Sequence, residues 1–262
     1  MRTAGTNCDI ETAYAFKLAG SEVDLVHINK IVRKPELLRK YRIIAIPGGF
    51  TYGDDIASGK ILANEIKYSL KSELRKFISG GRLVIGICNG FQVLVKMGLL
   101  PGVTGERLGD IEATLSLNDS GKFEDRWVYL AKGCSGLHGD ICIWTKGLPG
   151  LIHIPVAHAE GKFIPRNRSI LKKMSENGQI VFKYVDKTGQ KAGYPSNPNG
   201  SIDNIAGICD PTGRILGMMP HPERHIDFTQ NPYWQRDTGK RGKMGIGLKI
   251  FENGVNFAGN MI

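Results

Sequence analysis

Cys88 stands where a nucleophile is expected in an α/β protein. The apolar run Leu83–Ile87 leads into it, and a helix-periodic apolar run begins at Phe91. Gly86 and Gly90 flank it two residues away on each side, as a tight strand-to-helix turn requires. At the start of a helix the dipole would favour a thiolate. The pattern predicts a cysteine nucleophile at a nucleophile elbow.

The other cysteines are expected to be packed core residues. The five cysteines of the chain are scattered and include no C-x-x-C pair, which indicates neither a disulfide framework nor a zinc site. Isolated cysteines are usually buried and unreactive. This expectation applies to Cys8, Cys134, Cys142 and Cys209.

A cysteine that performs acyl transfer needs a histidine to move its proton and an acceptor to orient that histidine. His221 and Glu223 are two residues apart, and in extended backbone such side chains point to the same side. Pro222 between them favours extended backbone at the preceding residue. His221 also follows the apolar run 215–219, which places it at the end of a predicted core strand, where α/β sites form.

Spacing alone leaves other histidines open. His158 and Glu160 have the same spacing, and His225 lies close to Glu223. A purely structural role for both His158 and His221 is a further alternative. Position in the chain favours His221, with His158 as the second candidate.

The oxyanion of acyl transfer needs two backbone N–H groups aimed at one point. Asn89, directly after the nucleophile, is expected to supply one. The stretch Pro47-Gly48-Gly49-Phe50 follows another predicted strand and is expected to supply the second. A phosphate cradle or a plain turn is the alternative, but neither G-x-x-x-x-G-K-[ST] nor G-x-G-x-x-G is found between a strand and a helix.

The first two-fifths of the chain alternate strand-like and helical runs, which is typical of a parallel sheet with helices on both faces. Only Met1 and Arg2 are available to form a strand that feeds the turn at 3–9, so we expect a truncated start or an absent strand. Helices are predicted at 11–19 and 35–40, and further helical stretches run from the end of the glycine-rich loop 47–55 to about residue 78. Strands are predicted at 23–28, 42–46 and 83–87.

After residue 102 the sequence changes to short strands separated by Gly, Pro and Asn, which indicates antiparallel or mixed pairing. The turn-rich stretch 194–201 is interpreted as a loop inside a domain, because strands resume after it. We therefore predict one domain over 1–262. Predicted strands here are 127–131, 151–156, 180–185 and 215–219, with a terminal helix within 245–256.

Composition narrows the function classes. The 262 residues are 41% hydrophobic and 23% charged, as in globular proteins, and no apolar run approaches the roughly 18 residues of a membrane span. The N-terminus lacks the features of a secretory signal, so a cytoplasmic location is expected. The net charge of +10 is spread along the chain, which argues against nucleic-acid binding and favours a solvated basic face or a surface for an acidic partner.

In their chain order these elements resemble the class I, triad-type glutamine amidotransferases. More narrowly, the sequence is similar to the glutaminase subunit of phosphoribosylformylglycinamidine synthase. The motifs are jointly specific and extend to about residue 225. They are Gly5-Thr6-Asn7-Cys8-Asp9, Pro47-Gly48-Gly49-Phe50-Thr51-Tyr52-Gly53-Asp54-Asp55, Gly86-Ile87-Cys88-Asn89-Gly90-Phe91-Gln92, Pro155-Val156-Ala157-His158-Ala159-Glu160-Gly161, Asn197-Pro198-Asn199-Gly200-Ser201 and Pro220-His221-Pro222-Glu223-Arg224.

The resemblance implies a flavodoxin-like fold with a central, mostly parallel sheet, helices on both faces and a smaller antiparallel portion. It implies Cys88 as nucleophile with His221 and Glu223 completing a triad, which settles the choice of histidine. Two departures stand out: the missing first strand, and a tail after Arg224 without a recognisable motif.

The resemblance also assigns supporting residues. The loop from Gly48 through Gly49 to Phe50, together with Asn89, is implied as the oxyanion hole, and Gln92 as a contact of the substrate glutamine. The motif that contains His158 and Glu160 is expected in the site wall or at a partner interface.

The implied reaction is acyl transfer. Cys88 attacks the glutamine side-chain amide, ammonia leaves with a proton from His221, and water releases glutamate from the thioester. Neither a metal nor a cofactor is required. Implied partners are a synthetase subunit that binds ATP and formylglycinamide ribonucleotide and receives the ammonia, and a small accessory subunit.

Three alternatives to this function are kept. The first is a glutaminase that serves a different synthetase. The second is a non-glutaminase cysteine-elbow protein of the same broad fold, such as a stress protein or peptidase. The third is a non-catalytic binding subunit.

Overall fold

The computed structural model describes residues 1–105, 108–133, 140–236 and 244–261. In these ranges a seven-stranded sheet and a two-stranded sheet form the framework. The α-helices are α1 Asp9–Leu18, α2 Ile28–Arg33, α3 Lys60–Ser69, α4 Lys71–Ser79, α5 Asn89–Lys96, α6 Arg168–Glu176 and α7 Leu248–Gly259. The strands are β1 Ile43–Ile46, β2 Leu83–Ile87, β3 Ala113–Ser116, β4 Glu124–Lys132, β5 Leu151–His158, β6 Lys162–Pro165, β7 Ile180–Val185, β8 Ile205–Cys209 and β9 Ile215–Met218.

The larger sheet joins a parallel part to an antiparallel part. Its order is β1-β2-β9-β8-β7-β4-β5, with β1, β2 and β9 parallel and the other neighbours antiparallel. The α/β class and the smaller antiparallel portion, β3 with β6, are confirmed. The sheet is mixed rather than mostly parallel, because short turns such as 210–214 can join only antiparallel neighbours.

Met1 and Arg2 lie where the first strand was expected. The Met1 amino group donates to the carbonyl of Ala45 in β1 at 2.8 Å, and Arg2 forms an isolated parallel bridge with His27. The predicted strand 23–28 is therefore wrong: it is reduced to this bridge, and α2 begins at its last residue. Among the described residues, Arg2 pairs with this segment through two backbone hydrogen bonds, to Val26 and from Ile28.

Most other predicted elements are confirmed with small shifts at their ends. Strands 83–87 and 180–185 match β2 and β7, and the terminal helix is α7. The segment 35–40 is a 3-10 helix. Within the described ranges, no helix combines the length and apolar character needed to cross a membrane.

The three parallel strands bring the predicted site segments together. Carboxyl ends of parallel strands meet at one edge of a sheet, where α/β proteins form their sites. The glycine-rich loop follows β1, Cys88 follows β2, and His221 follows β9. All five residues of β2 are buried, as expected of a parallel strand covered on both faces.

Helix α5 crosses the sheet at very close range. A Cβ built on Gly90 would lie 1.8 Å from the Ile46 carbonyl oxygen, and a Cβ on Gly86 would lie 2.5 Å from the Gly90 carbonyl oxygen. Neither position has room for a side chain. The two glycines of the elbow motif therefore allow the start of α5 to lie in direct contact with the ends of β1 and β2.

Replacement of Gly90 by alanine should destabilise the fold. The new methyl group would meet backbone, which cannot move aside as a flexible side chain can. In chemical denaturation we expect the free energy of unfolding to fall by about 3 kcal/mol, at the upper end of overpacking costs. Gly259→Ala, where a Cβ meets nothing within 4 Å, is the control and should change it by less than about 0.5 kcal/mol. Equal effects of the two substitutions would contradict this packing.

Candidate active site

Cys88 occupies a strained turn between β2 and α5. Its backbone has φ 52° and ψ −107°, a conformation that non-glycine residues rarely adopt and that costs roughly 1–3 kcal/mol. Its N–H donates to the Met218 carbonyl at 2.8 Å, which anchors the turn to β9. Directly before the start of α5, the thiol lies 3.5 Å from the Ala157 carbonyl oxygen of β5.

His221 and Glu223 form the predicted pair. Nδ1 of His221 lies 2.6 Å from Oε1 of Glu223, and both side chains are buried. The predicted extended geometry is wrong, since Pro222–Arg224 is a single 3-10 turn with His221 as its N-terminal flank. The His221 N–H donates to the Pro155 carbonyl at 2.8 Å, which ties this turn to β5.

Cys88 and His221 converge on Gly48. A Cβ built on Gly48 would lie 2.8 Å from Cε1 of His221 and 3.4 Å from Cβ of Cys88. The backbone of the glycine-rich loop thus fills the space that a side chain would otherwise take. The structure brings the predicted nucleophile, base and loop to one point.

The charges of the site favour a protonated imidazole. Burial by itself lowers the pKa of His221, but the carboxylate of Glu223 and the sulfur of Cys88 outweigh burial and raise that pKa well above its usual value. The arrangement suits an imidazolium held against the carboxylate of Glu223.

A second thiol, that of Cys8, lies beside the ring of His221. The sulfur of Cys8, a residue expected only to pack in the core, is 4.0 Å from Nδ1 of His221 and 3.2 Å from Nη2 of Arg224. Burial raises the pKa of Cys8. Sequence reasoning missed this residue, although the motif that contains it pointed to the site. Cys142 and Cys209 are buried as expected, while Cys134 lies outside the described residues.

The glycine-rich loop is pinned against the segment before α1. The Phe50 N–H donates to the Gly5 carbonyl at 2.8 Å, and the Gly48 carbonyl accepts from the Cys8 N–H at 3.2 Å. The Phe50 amide is therefore engaged, which corrects its expected share in an oxyanion hole. Gly49 has φ +143°, and a Cβ there would lie 2.6 Å from the Gly5 carbonyl oxygen, so that only glycine fits.

The side chains of Asn89 and Gln92 connect α5 to the opposite wall of the site. Nδ2 of Asn89 donates to Oε1 of Gln92 at 3.0 Å, and Nε2 of Gln92 donates to the Glu160 carbonyl at 2.5 Å. Oδ1 of Asn89 accepts from the Thr51 hydroxyl at 2.7 Å. Gln92 is buried and is positioned as part of the wall; its contact with glutamine stays a prediction.

His158 is held by asparagine side chains. Its Nδ1 lies 3.1 Å from Oδ1 of Asn118, and its Nε2 lies 3.4 Å from Nδ2 of Asn199. Burial, helped by the charge of His221, lowers the pKa of His158 to about 3. His158 is thus a neutral ring with both nitrogens engaged, which fits a support of the wall and does not fit the alternative role of base.

Comparison with known proteins defines the class. A family model described as a CobB/CobQ-like glutamine amidotransferase domain matches residues 1–258. The glutaminase domain of CTPS from Trypanosoma brucei shares the fold, with TM-score 0.52 at 12% identity over 94% of this chain and 88% of that one. The class that the fold and the site define is that of the glutamine amidotransferases.

Similar proteins place this chain in one family within the class. The phosphoribosylformylglycinamidine synthase subunit PurQ of Dehalococcoides mccartyi is 46% identical over 98% of this chain and 96% of its own; that of Methanococcus maripaludis is 44% identical over 97% and 95%. A chain in the structure of PurLQS from Thermotoga maritima matches with TM-score 0.70 and 28% identity over 98% of this chain and 95% of that one. This chain therefore belongs to the PurQ family of glutamine amidotransferases.

The buried histidines His158 and His221 should differ in charge. In NMR spectra of the imidazole nitrogens at pH 6, His221 should be protonated, because its pKa is raised, and His158 should be neutral, because its pKa is lowered. Replacing Glu223 by glutamine should lower the pKa of His221, because this change removes the negative charge that counteracts the effect of burial. A neutral His221 at pH 6 in the unmodified protein would contradict this description of the site.

Proposed function

We propose that this chain is the glutaminase subunit of a phosphoribosylformylglycinamidine synthase, with Cys88 as nucleophile and His221 and Glu223 as its proton relay. It releases ammonia from glutamine for a synthetase subunit that converts formylglycinamide ribonucleotide to formylglycinamidine ribonucleotide. The observation that carries the proposal is the convergence of the strained Cys88 turn and the buried His221–Glu223 pair on Gly48, in a member of the PurQ family.

The first half of the reaction forms a thioester. The Cys88 sulfur attacks the amide carbon of the glutamine side chain, and the carbonyl π electrons move onto oxygen. When the tetrahedral intermediate collapses, the C–N bond breaks, and His221 gives its proton to the departing nitrogen, which leaves as ammonia. Glu223 stabilises the charged ring and fixes its orientation.

In the second half of the reaction, His221 acts as a base instead of an acid. Neutral His221 removes a proton from a water molecule as that water attacks the thioester carbon. The C–S bond then breaks, glutamate is released, and Cys88 returns as a thiolate beside an imidazolium. The proton count is restored after each turnover, so the relay needs neither a metal nor a cofactor.

The N–H groups of Gly49 and Asn89 are our candidates for the oxyanion hole. Gly49 and Thr6 form an antiparallel bridge through the amides of their neighbours, which leaves the Gly49 N–H outside the bridge. Asn89 is the first residue of α5, and N–H groups in a first helical turn have no partner within the helix. Two such donors could stabilise the developing negative charge.

A partner must receive the ammonia, because ammonia released into water is diluted and protonated. The PurLQS match supports assembly with a synthetase subunit and a small accessory subunit. We further propose that residues 1–262 act as a single domain, supported by the family match over 1–258, and that the protein is cytoplasmic, supported by the free cysteines at four described positions.

Replacement of Cys88 by alanine should abolish glutamate release. In the complex with its synthetase, ATP and formylglycinamide ribonucleotide, we expect a loss of at least about 10⁴-fold, because the thiol proposed to form the thioester is removed. Cys142→Ala removes a buried thiol outside the site and should keep the rate within about twofold. Undiminished glutamate release by the Cys88 variant would contradict the proposal. Turnover with a different acceptor nucleotide would instead favour a glutaminase of another synthetase.

Replacement of Glu223 by glutamine should lower kcat much more than it changes KM. The shape of the side chain is kept, but the ring loses the charge that stabilises its protonated form, and we expect kcat to fall by about 10²–10⁴-fold. Steady-state kinetics of the complex measures both constants. A large rise in KM at constant kcat would assign Glu223 to substrate binding.

A further inference from the structure

Cys8 is a buried nucleophilic group that the reaction does not use. It directly precedes α1 and is 1% exposed. Its sulfur lies 4.0 Å from Nδ1 of His221. A Cβ built on Gly48 would be 3.1 Å from this sulfur and 3.4 Å from Cβ of Cys88, so both cysteines face the same point of the loop. The site therefore holds two thiols around one imidazole.

Three different ligand types meet around Cys8. The sulfur of Cys8, a ring nitrogen of His221 and a carboxylate oxygen of Glu223 all lie within 4.8 Å of one another. Around a tetrahedral zinc ion, sulfur, nitrogen and oxygen ligands are about 3.3–3.6 Å apart, so modest side-chain movements would complete this geometry. A set of thiolate, imidazole and carboxylate suits zinc and similar cations.

Two buried atoms of this cluster lack partners. Among the described residues, Oε2 of Glu223 and Nε2 of His221 make no hydrogen bond. Buried polar atoms are rarely left unsatisfied without a functional reason. Oε2 of Glu223 belongs to the ligand set, whereas the ring nitrogen of His221 that faces Cys8 is Nδ1. A bound cation would give Oε2 of Glu223 a strong partner in place of none.

The charges around the cluster can balance a divalent cation. Arg224 donates to the Cys8 sulfur through Nη2 at 3.2 Å, which favours the thiolate once its proton is lost. Its Nε bonds Oε1 of Glu11 at 2.8 Å, so its positive charge is already offset. With His221 neutral, the thiolate of Cys8 and the carboxylate of Glu223 then leave two negative charges for the ion.

We propose that Cys8, His221 and Glu223 form a binding site for a soft divalent cation of the zinc class, and that the bound ion stops the glutaminase reaction. The ion takes the ring and the carboxylate that the proton relay requires. Binding releases to solvent the thiol proton of Cys8 and the proton shared by His221 and Glu223, and nothing is oxidised or reduced. Binding stands on the geometry alone, whereas inhibition rests on the proposed function.

The binding claim is tested with Co²⁺ on the full chain carrying Cys88→Ala, so that activity plays no part. We expect one Co²⁺ per chain with the ultraviolet thiolate-to-cobalt charge-transfer absorption, displaced by Zn²⁺. Adding Cys8→Ser should remove this absorption, while adding Cys142→Ser should leave it. Absorption that survives Cys8→Ser, or its absence from the Cys88→Ala chain, would overturn the proposal. Circular dichroism of each variant checks that it is folded.

The inhibition claim is tested on the complex with its synthetase, in a buffer with a non-thiol reductant. Cys8→Ser should raise the Zn²⁺ concentration for half-inhibition, relative to its own metal-free rate, by at least about tenfold. Cys142→Ser should leave that concentration unchanged. Equal sensitivity of the unmodified and Cys8→Ser complexes would overturn the inhibitory role. A complex without glutaminase activity, whose chain still binds Co²⁺ through Cys8, would instead refute the proposed function.

Discussion

The register between β2 and β9 is the constraint on which the site depends. These strands pair in parallel with Ile87 opposite Met218. One residue beyond Ile87 the chain turns sharply at Cys88, and three residues beyond Met218 it presents His221. The Met218 carbonyl accepts the Cys88 N–H, so the hydrogen bond that ends the ladder also holds the strained turn. A shift of one residue would turn the side chains of either strand to the opposite face and separate thiol from imidazole.

Close packing at the ends of the parallel strands brings α5 and the glycine-rich loop against Cys88 and His221. The elbow glycines let α5 start directly above the ends of β1 and β2, and the loop after β1 lies against the side chains of Cys88 and His221. Burial of His221 with Glu223 would be costly if either stood alone, because an unpaired charge in a protein interior has no water to stabilise it. Here each charge has a partner. The same burial that raises this cost keeps bulk water from competing for hydrogen bonds at the relay.

The sequence predicted the elements of the site better than the sheet that carries them. Glycines at fixed distances from Cys88 express local geometry that a single sequence displays. The two-residue spacing of His221 and Glu223 predicted that these side chains would pair, but not the 3-10 turn that brings them together. The direction in which two strands pair is not visible in a single sequence, because short apolar runs look alike in parallel and antiparallel pairing. The order that places β8 between β9 and β7 follows from long-range contacts. The predicted strand at 23–28 had the right composition, but in the described residues it forms only the bridge of His27 with Arg2.

Cys8 shows what local patterns miss. Nothing in its spacing relates it to a histidine more than 200 residues later; only the fold brings the segment before α1 against the end of β9. The neutral state of His158 was equally hidden, since it depends on asparagines from two distant loops. Both residues lie in motifs that the resemblance singled out without giving a reason. The structure supplies the reasons, which are a second thiol beside the imidazole and a hydrogen-bonded support for the site wall.

The most direct test of the account is to trap the acyl intermediate. The complex is mixed with glutamine, quenched in acid during turnover and digested, and the peptides are analysed by mass spectrometry. We expect a γ-glutamyl group on the peptide that contains Cys88, in thioester linkage that hydroxylamine removes. A γ-glutamyl group on another residue, or turnover without any covalent adduct under conditions that trap a thioester, would contradict the central role of Cys88.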